Sequence, residues 1–373
     1  MSQFKLPPVS TLMGSTLINY IKILRQGRIT SKYYFKIFLT TIIVFLSAPF
    51  HIWEKLYFKK RLSKHSFQKP PLFILGHWRS GTTLLHNMLC ADPDAGYITT
   101  YQSVFPNNLG SKWLFKTFMK INIPEKRPSD NVKLNVDFPQ EDEFAFSNSV
   151  PNSYYNFFYF PDNYKLFYEK AIRHAGLSKK ETDRWFKNYE TLLKKASINT
   201  DSKRLVVKNP VNTARIKHLL KLYPNAKFLY IYRNPITVFI STQYFFKKLL
   251  PTLTLQKIDD KSIETMIFEV YKWLMDDYLE QKELIPDENL HELRYEDFEK
   301  DPVEESKKIY NNLLNEDFDS VKRYFSSYFS TIKEYKKNRY EIELSTIEKI
   351  KTHLNRYMEI YNYSIPDDII IKY

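Results

Sequence analysis

Residues 71–86 read Pro-Leu-Phe-Ile-Leu-Gly-His-Trp-Arg-Ser-Gly-Thr-Thr-Leu-Leu-His, and no other stretch limits the fold so sharply. A short apolar run between Pro70 and Gly76 predicts a buried parallel strand. The loop from Gly76 to Gly81 then opens into a helix beginning near Thr82, because Leu84, Leu85, Met88 and Leu89 recur at helical spacing. A strand, a glycine-bounded loop and a helix in that order belong to α/β architecture.

The free amides at a helix start, with the positive end of its dipole, make a concave anion site. Glycines are needed there because a Cβ would keep the backbone from a phosphate. The Gly76 to Gly81 spacing matches the triphosphate loop G-x-x-x-x-G-K-[ST], but Thr82 stands where the lysine belongs and no lysine follows. The loop's cation is Arg79 instead. An ATPase or GTPase would need that lysine and a magnesium ion held by Ser or Thr, so the departure favours another anion, and a phosphosulfate would suit.

Two later segments repeat the strand-then-polar-turn pattern. Residues 204–207 predict a strand that delivers Lys208 to its carboxyl end, where open α/β sheets place their ligands, followed by Asn209-Pro210 and a helix over 212–222. Residues 226–241 combine an apolar strand, Arg233 at its end, Asn234 as helix cap, Pro235 at the first helical position and Ser241 two turns on. Arg233 offers a planar fork suited to phosphate, and Ser241 a short hydroxyl beside it. Between the glycine-bounded loop and these two segments lies Pro139-Gln140-Glu141-Asp142-Glu143, an acidic run unusual in so basic a chain and placed to begin a helix. By itself it reads as a solvated helix start.

Together these motifs resemble those of sulfotransferases that use 3′-phosphoadenosine 5′-phosphosulfate (PAPS), over roughly residues 70–362. Arg79-Ser80-Gly81-Thr82-Thr83 looks like the Arg-type 5′-phosphosulfate loop of the carbohydrate and tyrosylprotein branches. The R-N-P…S pattern of Arg233 and Ser241 looks like the 3′-phosphate site, and Lys208-Asn209-Pro210 and the P-Q-E-D-E run have counterparts in a large bacterial group. The resemblance implies an α/β, P-loop-type, mainly parallel β-sheet flanked by helices on both faces. It also implies transfer of a sulfuryl group to an acceptor hydroxyl, with Arg79, Ser80, Gly81, Thr82 and Thr83 on the 5′ side, Arg233 and Ser241 on the 3′ side, and no metal. Glu141 is the first choice for the base that takes the hydroxyl proton, with Asp142, Glu143 and the loop's His77 as alternatives. Lys208 and Arg79 would stabilise the departing phosphate. Two departures leave questions open. Thr99-Thr100-Tyr101-Gln102 lacks the glutamate that tyrosylprotein sulfotransferases carry after the loop helix, and no Gly-rich R-K-G loop follows to hold adenosine. Arg294-Tyr295-Glu296-Asp297-Phe298 also matches a recurring sulfotransferase element, in which the charges are architectural.

A formal charge of +14, from 56 Lys+Arg against 42 Asp+Glu, suits an anionic cofactor, substrate or membrane surface. Nucleic acid is disfavoured, because no RNA-binding signature, zinc-finger spacing or Arg-rich block appears. The single cysteine, Cys90, permits no internal disulfide.

Residues 1–69 are expected to form an apolar, basic helical segment ahead of a domain over 70–373 with an aromatic, helical insertion at about 111–200. Residues 37–53 carry no Asp, Glu, Lys or Arg, are interrupted by Pro49, and have basic residues on both sides, so no charge asymmetry orients a span. The expectation is an interfacial or buried helix that lets the enzyme sit on an anionic membrane face. The Lys-, Ile- and Tyr-rich, Gly-poor composition hints at an AT-rich bacterial genome, which places the chain in the cytoplasm, at the inner face of the membrane. The acceptor is expected to be a glycan, a lipid-linked glycan or a small alcohol. The competing readings are a magnesium-ATP phosphotransferase and a catalytically silent nucleotide-binding protein.

Overall fold

The computed structural model describes residues 9–125, 133–332, 341–367 and 369–372. Its strands in chain order are β1 (Leu72–Leu75), β2 (Ala95–Gly96), β3 (Arg204–Lys208), β4 (Lys227–Tyr232), β5 (Leu290–Arg294), β6 (Glu341–Glu343) and β7 (Ile370–Lys372). Every strand pair with a stated register is parallel, and helices connect the strands, giving an α/β fold with a mainly parallel sheet. The chain divides into two compact units. One comprises residues 1–71, 94–207 and 246–259, the other 72–93, 208–245 and 260–373.

In the second unit β4 lies between β1 and β5, with Leu75 opposite Tyr230 and Tyr232 opposite Arg294. All four residues of β1 are buried, as a strand covered on both faces requires. Phe73 stacks on Phe228, and Tyr230 on Tyr278 of the helix Asp260–Gln281 at 3.8 Å, so aromatic faces bind strand to strand and sheet to helix. The helix Leu344–Ile360 buries Ile347, Ile350, Leu354, Tyr357 and Met358 at helical spacing, while His353, which the sequence period would place on the same stripe, is exposed.

In the first unit Ala95 and Gly96 pair with Arg204 and Leu205. The 3₁₀ segment Tyr154–Phe158 is buried throughout, and Phe157 and Phe158 contact each other at 4.1 Å, so this aromatic run packs as core. Trp185 and Tyr189 of the helix Lys179–Thr200 stack at 5.1 Å and both meet Phe146.

Three local expectations need correction. Residues 95–100, which by sequence read as a short second strand, are not one: pairing with β3 stops at Gly96, an isolated antiparallel bridge joins Thr99 to Pro139, and Thr99 caps a short helix, Thr100–Val104, by accepting from the Gln102 amide. The helix expected over 212–222 starts only at Ile216, because Asn209 and Pro210 first set up a 3₁₀ turn, Pro210–Ala214. Residues 111–135, which show no clear sequence period, contain the helix Lys112–Asn122; it buries Phe115 and Met119 and leaves its other apolar residues exposed, which blurs the pattern. The stretch Lys336-Lys337-Asn338-Arg339-Tyr340, which by sequence reads as a basic turn able to fold over a nucleotide, lies outside the described residues.

Candidate active site

The loop after β1 turns through three left-handed residues, Gly76 at φ 139°, Arg79 at φ 70° and Gly81 at φ 103°. Only hydrogen fits at the two glycines. A Cβ on Gly76 would lie 2.4 Å from the Ile231 carbonyl oxygen, and one on Gly81 would lie 2.3 Å from the Tyr295 ring. Thr213 Oγ1 accepts from the Gly76 amide at 2.8 Å, and Ser80 Oγ donates to the His77 carbonyl at 2.8 Å, which fixes both ends of the turn. Gly81 is the N-cap of the helix Thr82–Leu89 and supplies no side-chain acceptor, so that helix's first amides are left for an anion. The cradle fits the phosphosulfate that the loop sequence suggests.

Arg79, although left-handed, reaches back across 162 residues of sequence. Its Nε donates to Ser241 Oγ at 3.0 Å, and its guanidinium lies over the Phe245 ring at 5.3 Å. Arg233 leaves the end of β4, donates to the Arg79 carbonyl at 3.4 Å and stacks its guanidinium on Tyr295 at 4.0 Å. Lys208, the last residue of β3 and nearly fully buried, donates to Thr83 Oγ1 at 3.3 Å. Arg79, Ser80, Gly81, Thr82, Thr83, Lys208, Arg233 and Ser241 thus all belong to the second unit, and direct contacts link the loop to each of the two later motifs. Asn234 behaves as its sequence predicts, accepting from the Ile236 amide at 3.0 Å at the start of the helix Pro235–Leu253.

His77 is buried on this loop. Burial pulls its imidazole down to about 4, against a smaller opposing effect of the Trp78 carbonyl, which Nδ1 faces at 2.8 Å. A carbonyl can only accept, so Nδ1 carries the proton of a neutral ring, and Tyr271 packs against that ring at 4.8 Å. A base so weakened is poorly matched to proton abstraction near pH 7.

The acidic run lies in the first unit. It opens a helix as expected, with Glu141 as N-cap of Asp142–Ser147, but it is not solvated. Asp142 and Glu143 are fully buried, and Glu141 keeps 8% exposure. Asp142 accepts from Tyr189 Oη at 2.7 Å, while Glu143 accepts from Ser153 Oγ and the Tyr154 amide, each at 2.8 Å. Tyr155 Oη donates to Glu141 Oε2. Of the three acids, Glu141 is the least buried.

Sequence reading missed Thr213, Phe245 and Tyr295. Tyr295 stands inside the Arg-Tyr-Glu-Asp-Phe element singled out only for its architectural charges, and its ring lies under both Gly81 and Arg233. The available signal was a tyrosine directly after the last strand of the sheet, on the segment that follows β5.

The family comparison gives the class that the α/β fold alone leaves open: the sulfotransferase family matches over residues 70–320, and the chain belongs to that family. It is an enzyme of sulfuryl transfer. Among individual proteins it is 29% identical over 360 residues to the omega-hydroxy-beta-dihydromenaquinone-9 sulfotransferases Stf3 of Mycobacterium bovis and Mycobacterium tuberculosis, covering 94% of this chain and 90% of theirs. Its fold is that of the crystal structure of sulfotransferase STF9 from Mycobacterium avium, with TM-score 0.70 and 15% identity over 93% of this chain and 90% of the other.

Proposed function

We propose that this enzyme takes its sulfuryl group from PAPS and passes it to the hydroxyl of a lipid alcohol or lipid-linked glycan at the cytoplasmic face of a membrane. The observation that carries the reading is the Arg79 to Ser241 hydrogen bond, which joins the loop suited to a 5′-phosphosulfate to the motif suited to a 3′-phosphate. ATP has no 3′-phosphate, so a site built from both motifs prefers PAPS. The lipid acceptor is supported by the acceptor named for the mycobacterial Stf3 proteins.

PAPS supplies the activated sulfuryl group. Arg79 and the first amides of the loop helix hold the 5′ side, and Arg233 with Ser241 holds the 3′-phosphate. Glu141 takes the proton of the acceptor hydroxyl as its oxygen forms a bond to sulfur, and the bond from sulfur to the phosphate oxygen breaks in line with it. Lys208 and Arg79 meet the charge that grows on that oxygen, yielding a sulfate ester and adenosine 3′,5′-bisphosphate. His77, neutral and braced, shapes the loop.

The test is calorimetric titration of the whole protein with adenosine 3′,5′-bisphosphate in EDTA, beside ATP. Binding should be metal-free, stronger than for ATP, and weakened by at least about a hundredfold in Arg233→Ala/Ser241→Ala, which removes two charge-assisted contacts worth ~1.5–3 kcal/mol each. Preference for magnesium-ATP, or equal affinity in the double variant, would overturn the donor assignment.

A further inference from the structure

The helix Tyr34–Lys64 of the first unit is turned inside out. Its buried residues are Thr40, Val44, Ser47, His51, Glu54 and Phe58, spaced four and three apart along one stripe, and four of these six are polar or charged. The opposite faces expose Phe35, Phe38, Phe45, Leu46, Ile52 and Leu56, each at least 60% accessible. A helix packed on a protein in water alone buries its apolar stripe and shows its polar one. Here the arrangement is reversed.

Specific polar contacts hold the inner stripe in place. Thr40 Oγ1 accepts from the Ser10 amide at 2.8 Å near one end. Near the other, Glu54 Oε1 pairs with Lys195 Nζ at 2.5 Å, both groups buried, and Glu54 Oε2 accepts from the Gly110 amide at 2.6 Å. Trp53 Nε1 donates to the Gly110 carbonyl at 3.2 Å. Beside this helix, Phe50 meets Phe115 edge-on at 5.2 Å, and the helix that carries Phe115, Lys112–Asn122, itself exposes Trp113 at 73% and Ile121 at 79%.

By length and composition residues 31–64 could cross a bilayer. Spanning would carry Glu54 and His51 into hydrocarbon, at ~2.5–3.5 kcal/mol for a central charge on insertion scales, and would forfeit the Glu54 contacts with Lys195 and Gly110. The apolar residues are instead displayed over one length of helix. Lys55, Lys59, Lys60, Arg61 and Lys64 are exposed at its carboxyl end, and the only acid between residues 31 and 64 is the buried Glu54. An apolar face rimmed by cations complements a bilayer surface with anionic headgroups.

We propose that the outer faces of the helices Tyr34–Lys64 and Lys112–Asn122 form a monotopic membrane-binding surface that lies in the interfacial plane of an anionic bilayer and does not cross it. The inference stands on this surface alone and would survive failure of the donor assignment.

The test is flotation of the full-length protein with phosphatidylcholine vesicles and with 7:3 phosphatidylcholine/phosphatidylglycerol vesicles. The wild type should float with the mixed vesicles and more weakly with the neutral ones. The variant Phe38→Ser/Phe45→Ser/Leu46→Ser/Ile52→Ser should partition at least about tenfold less, since each change removes a side chain that would be buried in the acyl boundary. Lys59→Glu/Lys60→Glu/Arg61→Glu should lose the preference for the anionic vesicles. Both variants should keep the wild-type circular dichroism and adenosine 3′,5′-bisphosphate binding, which separates this surface from the nucleotide site. No flotation of the wild type would overturn the proposal, as would flotation unchanged in the four-serine variant. Conversion of a dimer to a monomer by that variant, without loss of flotation, would assign the face to a second copy. Resistance of the bound protein to alkaline carbonate extraction would assign a span.

Discussion

The phosphate loop and the acidic helix start are both built from polar residues at the head of a short helix, yet they are held in different ways. At the loop the backbone does the shaping: three left-handed residues, two glycines with room only for hydrogen, and cations laid over aromatic rings. At Glu141–Glu143 the backbone is ordinary and the side chains are what is fixed, by hydroxyls of Tyr155, Tyr189 and Ser153 and the Tyr154 amide. An anion site made of amides needs exact chain geometry. A row of buried carboxylates depends instead on the side chains and the amide that donate to it.

The most damaging way to probe this contrast is on the acids. Glu141→Gln should lower kcat by roughly 10²–10⁴ while leaving adenosine 3′,5′-bisphosphate affinity unchanged, as loss of a general base does. Glu143→Ala, which strands the Tyr154 amide and Ser153 hydroxyl, should instead cost ~1–3 kcal/mol of stability in urea unfolding. If Glu141→Gln turned over normally and Asp142→Asn did not at equal stability, the roles would have to be exchanged. Next comes the loop: Gly81→Ala forces a Cβ into Tyr295 at a left-handed position, and the backbone term alone is ~1–2 kcal/mol. Differential scanning should show a lowered Tm and weakened bisphosphate binding together, and an unchanged Tm would mean that the turn is not fixed as described.

The smallest effect is on pH. The His77 imidazole lies at about 4, below its ordinary value of 6.5, so its contribution to stability is fully present above about 6.5 and is lost as pH falls toward 4. His51, lowered to about 4 chiefly by burial on the inside-out helix, adds a slope of the same sign. Urea midpoints measured from pH 7 to 4.5 should therefore fall, and His77→Gln should flatten the decline without abolishing it. An equal slope in the variant would remove His77 from the account.

Much of the loop side was legible in sequence because its determinants are local. The Gly76 to Gly81 spacing, Lys208 at a strand end and the Asn234-Pro235 helix start each depend on neighbours within a few residues, and each element falls where those neighbours put it. What escaped depends on contacts distant in sequence. Nothing near Thr213 announces that its hydroxyl braces Gly76, and nothing near Phe245 announces the Arg79 guanidinium over its ring. The acids were legible as a helix start but not as buried groups, since their partners Tyr155 and Tyr189 lie 14 and 47 residues on. The Lys112–Asn122 helix was hidden for another reason: a period-based reading assumes that apolar residues face inward, and Trp113, Leu114 and Ile121 do not.

Tyr295 carries a consequence of its own. One flat ring lies beneath Gly81 on the loop and beneath Arg233 on the neighbouring motif. The two ends of a nucleotide seated there would share a single footing, so a fault in the ring could not be confined to one of them. A change of this side chain would be felt at Gly81 and Arg233 at once.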